Sequence, residues 1–179
     1  MKELVNLIKD SDTIAIVTHT SADGDALGSS FGLALALEKM GKKVSVFLEE
    51  PVPRMLDFLP GKHLVSVYDG KSYDLCICVD TSDMKRLGNR VDIYSSAARK
   101  ITIDHHTTNN MQADGLWIDE SASATGEMVY KLIKALNVEI SREIAINLYT
   151  AIVTDTGGFR YSNTTPESLI IAADLMSRD

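Results

Sequence analysis

A second cysteine pair is missing from this sequence. Two cysteines occur in 179 residues, Cys76 and Cys78, whereas a structural zinc site takes about four ligands and a disulfide framework takes several pairs. Their spacing puts both thiols on one face of a strand, inside the apolar run Leu75–Val79. They read as buried, reduced thiols of a cytosolic protein. Any run of about 18 apolar residues is also missing, so no spanning helix and no membrane partner is expected. The opening MKELVNLIKDSD is amphipathic and charged throughout, unlike a signal peptide. Basic charge is scarce: 18 Lys and Arg stand against 25 Asp and Glu, a formal net charge of −7. That argues against unaided binding to long duplex nucleic acid, which needs a basic track to displace counterions. It leaves open a phosphate-bearing substrate, provided that bound cations reverse the local field.

What is present suits one domain with a sizeable core: 45% of the residues are hydrophobic. The cluster Pro51-Val52-Pro53 with Pro60-Gly61 marks an excursion between elements. Short β-branched or apolar runs at 13–18, 44–48, 64–68, 75–79 and 100–103 read as strands. Helical spacing occupies 26–40, closed by Gly41, and again 127–136 and 143–154, with Ser123 or Thr125 and then Ser141 as expected N-caps. Pro166 opens a last helix that runs to the C-terminus. Strands that alternate with helices predict an α/β fold, a parallel sheet with helices on both faces. Ligands of such sheets sit at the carboxyl ends of the strands.

That rule gathers the unusual residues. The first strand runs into HTSADGDALGSS with His19, Asp23 and Asp25, and 75–79 runs into DTSD with Asp80. The strand at 100–103 ends in Asp104-His105-His106, and the helix at 143–154 ends at Asp155 before Gly157-Gly158. Asp23, Asp25, Asp80 and Asp155 in one small volume could not all ionise without cations, and two divalent ions would balance them. Oxygen plus imidazole ligands suit Mn²⁺ or Mg²⁺, with Zn²⁺, Co²⁺ or Fe²⁺ also compatible. Taken singly, each piece has a plainer explanation. Asp-Gly is a common turn, Asp80 could cap a helix, and Gly157-Gly158 could be a C-cap.

The motifs THTSADGDALGSS, CVDTSD, IDHHTTN and TAIVTDTGGFRYSNTT, in this order between Thr18 and Thr165, resemble the DHH phosphoesterase superfamily. VDTSDMKRLG and TDTGGFRYSNTTPE are most similar to its bacterial oligoribonucleases that also remove the 3′-phosphate of 3′-phosphoadenosine 5′-phosphate. The resemblance implies a dinuclear centre, with Mn²⁺ foremost and Mg²⁺ or Co²⁺ as substitutes. His19, Asp23 and Asp80 would hold one ion; Asp25, Asp80, His105 and Asp155 the other, with Asp80 bridging. Asp104 would orient a histidine, and His106 would address the phosphoryl group or the leaving group. Arg160, Arg86 and Ser29 are the candidate substrate contacts, while Gly28 serves either the site or helix packing. Gly24 would allow a tight turn between Asp23 and Asp25.

The expected activity is two-metal hydrolysis of phosphoesters in short oligoribonucleotides or a nucleoside bisphosphate, in the cytoplasm, by a chain that could form a homodimer. The alternatives are a cyclic-dinucleotide phosphodiesterase and a catalytically weak metal-binding module. Members of the superfamily carry a second, C-terminal domain that grips the substrate, and nothing after Thr165 resembles it. Residues 1–179 are therefore expected to be a catalytic domain lacking that lobe, with turnover correspondingly weak.

Overall fold

Alternation within short apolar strands sorts their side chains onto two faces, and the two faces here are covered unequally. The computed structural model describes residues 1–178. In chain order Lys2–Lys9 forms α1, Thr13–Val17 β1, Gly24–Lys39 α2, Lys43–Phe47 β2, Leu75–Val79 β3, Val91–Ser96 α3, Arg99–Asp104 β4, Gly115–Ile118 β5, Thr125–Ala135 α4, Arg142–Asp155 α5 and Pro166–Met176 α6. The strands pair in parallel in the order β2-β1-β3-β4-β5. Ile14, Ile16, Leu75, Ile77, Val79, Ile101 and Ile103 pack into the main core with residues of α1, α2, α4, α5 and α6. Ala15, Val17, Cys76 and Cys78 face the opposite side, under Leu87, Ile93, Tyr94 and Met111. Helices therefore lie on both faces as expected, but among the described residues the second face has only the short α3 and a 3₁₀ stretch at Met84–Arg90.

The strand order turns the chain at β1. From β1 it crosses through α2 to β2 on one side; β3, β4 and β5 then build out on the other. The carboxyl ends of β1 and β3 thus flank a topological switch point, where parallel sheets leave a crevice for ligands. His19 follows β1 and Asp80 follows β3.

Several elements depart from expectation. Leu64–Tyr68 is not a strand: Val65 makes one isolated parallel bridge to Val46, and Val67 is 93% exposed. α1, α3 and β5 are not among the expected elements. α2 begins two residues early because the Asp23 side chain accepts from the Asp25 and Ala26 N–H groups. Gly24 is consequently helical, and what requires glycine there is contact, since a Cβ would lie 2.4 Å from Thr154 Oγ1. Gly28 is likewise a packing residue, facing the Asn147 carbonyl. α4 has neither expected cap: its N-cap is Ala124, and the Ser123 hydroxyl donates to the Asn163 carbonyl instead. Ser141 does stand at the N-cap of α5, though its side chain caps no backbone N–H of the helix. Pro166 opens α6 behind a reciprocal Thr165–Ser168 capping box, and the helix ends at Met176.

Both cysteines are free and buried. Burial raises the Cys76 thiol well above its ordinary range and pushes that of Cys78 up to about 12. A thiolate-directed reagent should leave the native protein unlabelled and modify both cysteines after unfolding in guanidinium. Stoichiometric labelling under native conditions would contradict this burial.

Candidate metal centre

Five elements deliver ionisable side chains to the crevice. β1 leads into His19, the start of α2 carries Asp23 and Asp25, β3 leads into Asp80, β4 leads into His105 and His106, and α5 ends at Asp155. Two groups of donors assemble there, His19 with Asp23 and Asp80, and Asp25 with His105 and Asp155, and a third, Asp80 with His105 and His106, overlaps both. Within each, one ligand atom per residue lies within 4.8 Å of the others. Asp80 lies between them. Its Oδ2 is 3.5 Å from His19 Nε2 and its Oδ1 is 3.8 Å from His105 Nε2. His105 Nε2 is also 3.8 Å from Asp25 Oδ2 and 3.7 Å from Asp155 Oδ2.

The imidazoles are oriented from behind. His19 Nδ1 lies 2.7 Å from the Thr20 carbonyl and His105 Nδ1 lies 3.3 Å from that of Ala122. A ring whose Nδ1–H donates to a carbonyl presents Nε2 as its lone pair, the form that binds a cation. His106 differs, because its Nδ1 lies 2.7 Å from Asp104 Oδ1. The other oxygen of that fully buried carboxylate accepts from Asn109 Nδ2 at 2.7 Å. Asp104 thus holds His106, and Asn109, which the sequence reading passed over, holds Asp104. The Asn in IDHHTTN was the available signal, one amide five residues beyond the acid.

The donors fit divalent cations on chemical grounds. Burial raises the Asp25 carboxyl well above the usual carboxylate range, and the neighbouring Asp80 and Asp155 charges raise it further. Burial also raises Asp155, with Asp80 and Asp23 adding to the effect against the pull of His105. At Asp80 burial works upward too, but His19, His105 and His106 outweigh it and the carboxyl is held low. His19 is raised because hydrogen bonds to Asp80 and the Thr20 carbonyl overcome its burial. Hydrogen bonding to Asp104 raises His106. Acids this close cannot all ionise at neutral pH without positive charge, which two divalent ions would supply.

The expected substrate contacts separate. Ser29 does not face a substrate; it is fully buried, and its Oγ donates to Asp25 Oδ1 at 3.1 Å. Arg160 is exposed and its Nε donates to the Gly157 carbonyl. Arg86 is exposed as well, but its backbone carbonyl accepts from the Thr20 N–H, next to His19, at 2.7 Å, and its positive charge opposes protonation of His19 and His106.

Comparisons with known proteins identify the family. The model of the DHH family, N-terminal domain, matches residues 13–152. A bifunctional oligoribonuclease and PAP phosphatase NrnA of Thermus thermophilus is 41% identical over 166 residues, which cover 91% of this chain and 49% of that protein. Its namesake in Bacillus subtilis is 33% identical over 179 residues, covering 97% and 56%. Among solved structures, an exopolyphosphatase-related protein of Bacteroides fragilis superposes with a TM-score of 0.91 at 32% identity, over 99% of this chain and 56% of that one. The exonuclease RecJ bound to manganese shares the fold at a TM-score of 0.58 and 15% identity. The chain spans about half the length of the curated relatives it matches. By a family match that runs from β1 into α5, the chain belongs to the DHH family, through its N-terminal domain.

Proposed function

We propose that this protein is a two-metal phosphohydrolase acting on short oligoribonucleotides or on 3′-phosphoadenosine 5′-phosphate. The observation that carries the reading is the two donor groups, all oxygen and imidazole, with Asp80 in the first and 3.8 Å from His105 of the second. His19, Asp23 and Asp80 would hold one ion, and Asp25, Asp80, His105 and Asp155 the second. Mn²⁺ is the proposed native ion, and Mg²⁺ or Co²⁺ would substitute. When bound, such a pair supplies Lewis acidity and lowers the pKa of a nearby water. The relatives named as oligoribonuclease and PAP phosphatase support the substrate class, and the cytoplasm is its proposed place.

The chain's own groups divide the remaining work. Asp104 fixes His106 through Nδ1, so Nε2 is the ring nitrogen left to address a substrate. A cationic His106 would donate to a non-bridging phosphoryl oxygen or protonate the leaving oxygen, and Asp104 stabilises that cation. Arg86 adds positive charge at the same edge and draws the anionic substrate inward. The carboxylates repel free anions until cations fill the site, so substrate capture and cation loading are linked.

Elemental analysis after Mn²⁺ loading, paired with hydrolysis of a p-nitrophenyl phosphodiester and of a diadenylate, tests the proposal. Two ions per chain and Mn²⁺-dependent release of product are expected; a protein that retains no ion would defeat it. A cyclic dinucleotide in the same assay separates the alternative substrate class. The two histidines should divide in the same experiment. His105→Ala should lose an ion, whereas His106→Ala should keep both and turn over about 10²–10³-fold more slowly on the diadenylate. The reverse pattern would overturn their roles.

A further inference from the structure

The first turn of α4 does something unusual for a helix N-terminus. Its N-cap, Ala124, has no side chain able to cap it, and the free N–H groups of Thr125 and Gly126 go instead to a carboxylate from another helix. Thr125 N–H donates to Asp25 Oδ2 at 2.7 Å and Gly126 N–H to Asp25 Oδ1 at 2.9 Å. Thr125 then reaches a second acid: its hydroxyl donates to Asp80 Oδ1 at 2.9 Å. The residue is fully buried. One amino acid therefore binds Asp25 through its backbone and Asp80 through its side chain, and Asp80 is the carboxylate between the two donor groups.

Asp80 needs such a hold. It stands at φ 55°, in the left-handed region that a non-glycine residue occupies at a cost. Its N–H is tied to the Ile103 carbonyl at 2.9 Å, which fixes the backbone but leaves the carboxylate free to turn about its side-chain torsions. The Thr125 hydroxyl stops that rotation. With Oδ1 held on the Thr125 side, 3.8 Å from His105 Nε2, Oδ2 is left to His19 at 3.5 Å. Each oxygen then faces one donor group.

We propose that Thr125 is a positioning residue of the metal centre, whose hydroxyl sets the Asp80 carboxylate in the orientation that serves both ions. This rests on the two-metal reading above. Hydrogen bonds that orient metal ligands typically contribute about 10–100-fold to affinity. A purely structural role for Thr125 would predict something else, namely a lower melting temperature of the metal-free protein with unchanged affinity of the folded form.

The test is Mn²⁺ binding by calorimetry and low-temperature EPR on the whole chain, with Thr125→Val and Thr125→Ser. Valine keeps the branched shape and removes the hydroxyl; serine keeps the hydroxyl. Thr125→Val should bind Mn²⁺ about 10–100-fold more weakly and lose the spectrum of two spin-coupled Mn²⁺ ions at equal metal load. Thr125→Ser should restore both to near the unsubstituted protein. If the valine variant does not fold, Thr125→Ala carries the same comparison. Affinity and coupling unchanged in the hydroxyl-free variant would overturn the proposal, as would a serine variant no better than valine. An unsubstituted protein that takes up no Mn²⁺ would overturn the two-metal reading, and this proposal with it.

Discussion

Replacing Asp80 by asparagine should strip the centre of both ions and lower phosphodiester hydrolysis by at least about 10²–10³-fold. The amide keeps the size and shape of the carboxylate but has one neutral acceptor where the acid has two charged ones. Both acceptors are in use: Oδ2 faces His19 at 3.5 Å, and Oδ1 faces His105 at 3.8 Å while accepting from Thr125 at 2.9 Å. Asparagine is the right probe because Asp80 sits at φ 55°, where Asn is among the few tolerated residues and alanine would add roughly 1–2 kcal/mol of backbone strain. Asp23→Asn supplies the contrast. The Asp23 side chain is 62% exposed and meets one donor group only, 4.0 Å from His19 Nε2. It should cost one ion and leave the other. Elemental analysis after buffer exchange, read beside the hydrolysis rate, decides between them; two ions retained in Asp80→Asn would end the bridging role.

The parts of this molecule that could be read in the sequence are those whose signal is local. A β-branched or apolar run that stops abruptly at an acid or a histidine announces a strand and its carboxyl end, so β1, β3 and β4 were legible together with His19, Asp80 and Asp104–His106. β5 was not, since Gly115–Ile118 is four residues long, exposed or half-buried beyond Gly115, and opens with a glycine. α3 is six residues, VDIYSS, too short for a period to show. The run at 64–68 failed in the opposite way. Its residues favour a strand, but the pairing stops at one bridge, Val65 to Val46, and Val67 is left in solvent.

Roles that depend on partners distant in sequence were illegible for a different reason. Ser29, Thr125 and Gly24 each had a reasonable local use, as a substrate contact, a helix cap and a turn. Each is taken instead by a tertiary partner: Asp25 for Ser29, Asp80 for Thr125, and Thr154 for Gly24. Local chemistry named the residue types that the centre would use. Only the packing of α2, α4 and α5 decided which atoms meet.

That packing rests on glycine, and Gly28→Ala should show it. α2 and α5 run antiparallel in close contact, with Gly24 against Thr154, Gly28 against Asn147 and Ala151, and Gly32 against Leu148. At Gly32 an added Cβ would meet the end of a leucine side chain at 2.8 Å, which can turn away. At Gly28 it would lie 2.4 Å from the Asn147 backbone carbonyl and 3.0 Å from the Ala151 amide nitrogen, which cannot. The helices must part, and overpacking of this kind costs about 1–3 kcal/mol. For a domain of this size that is a fall in melting temperature of roughly 2–12 °C. The site should suffer as well, because α2 carries Asp25 at its start and α5 carries Asp155 at its end, each within 4 Å of His105 Nε2. Weaker Mn²⁺ binding should therefore accompany the lost stability. Gly41→Ala separates the two effects: Gly41 has φ 79° with nothing within 4 Å of an added Cβ, so alanine there costs about 1–2 kcal/mol of backbone strain and should leave Mn²⁺ binding untouched. Thermal melts with and without Mn²⁺ on both variants give the answer. A Gly28→Ala protein that melts and binds Mn²⁺ like the unsubstituted chain would mean that the helix contact does not hold the centre together.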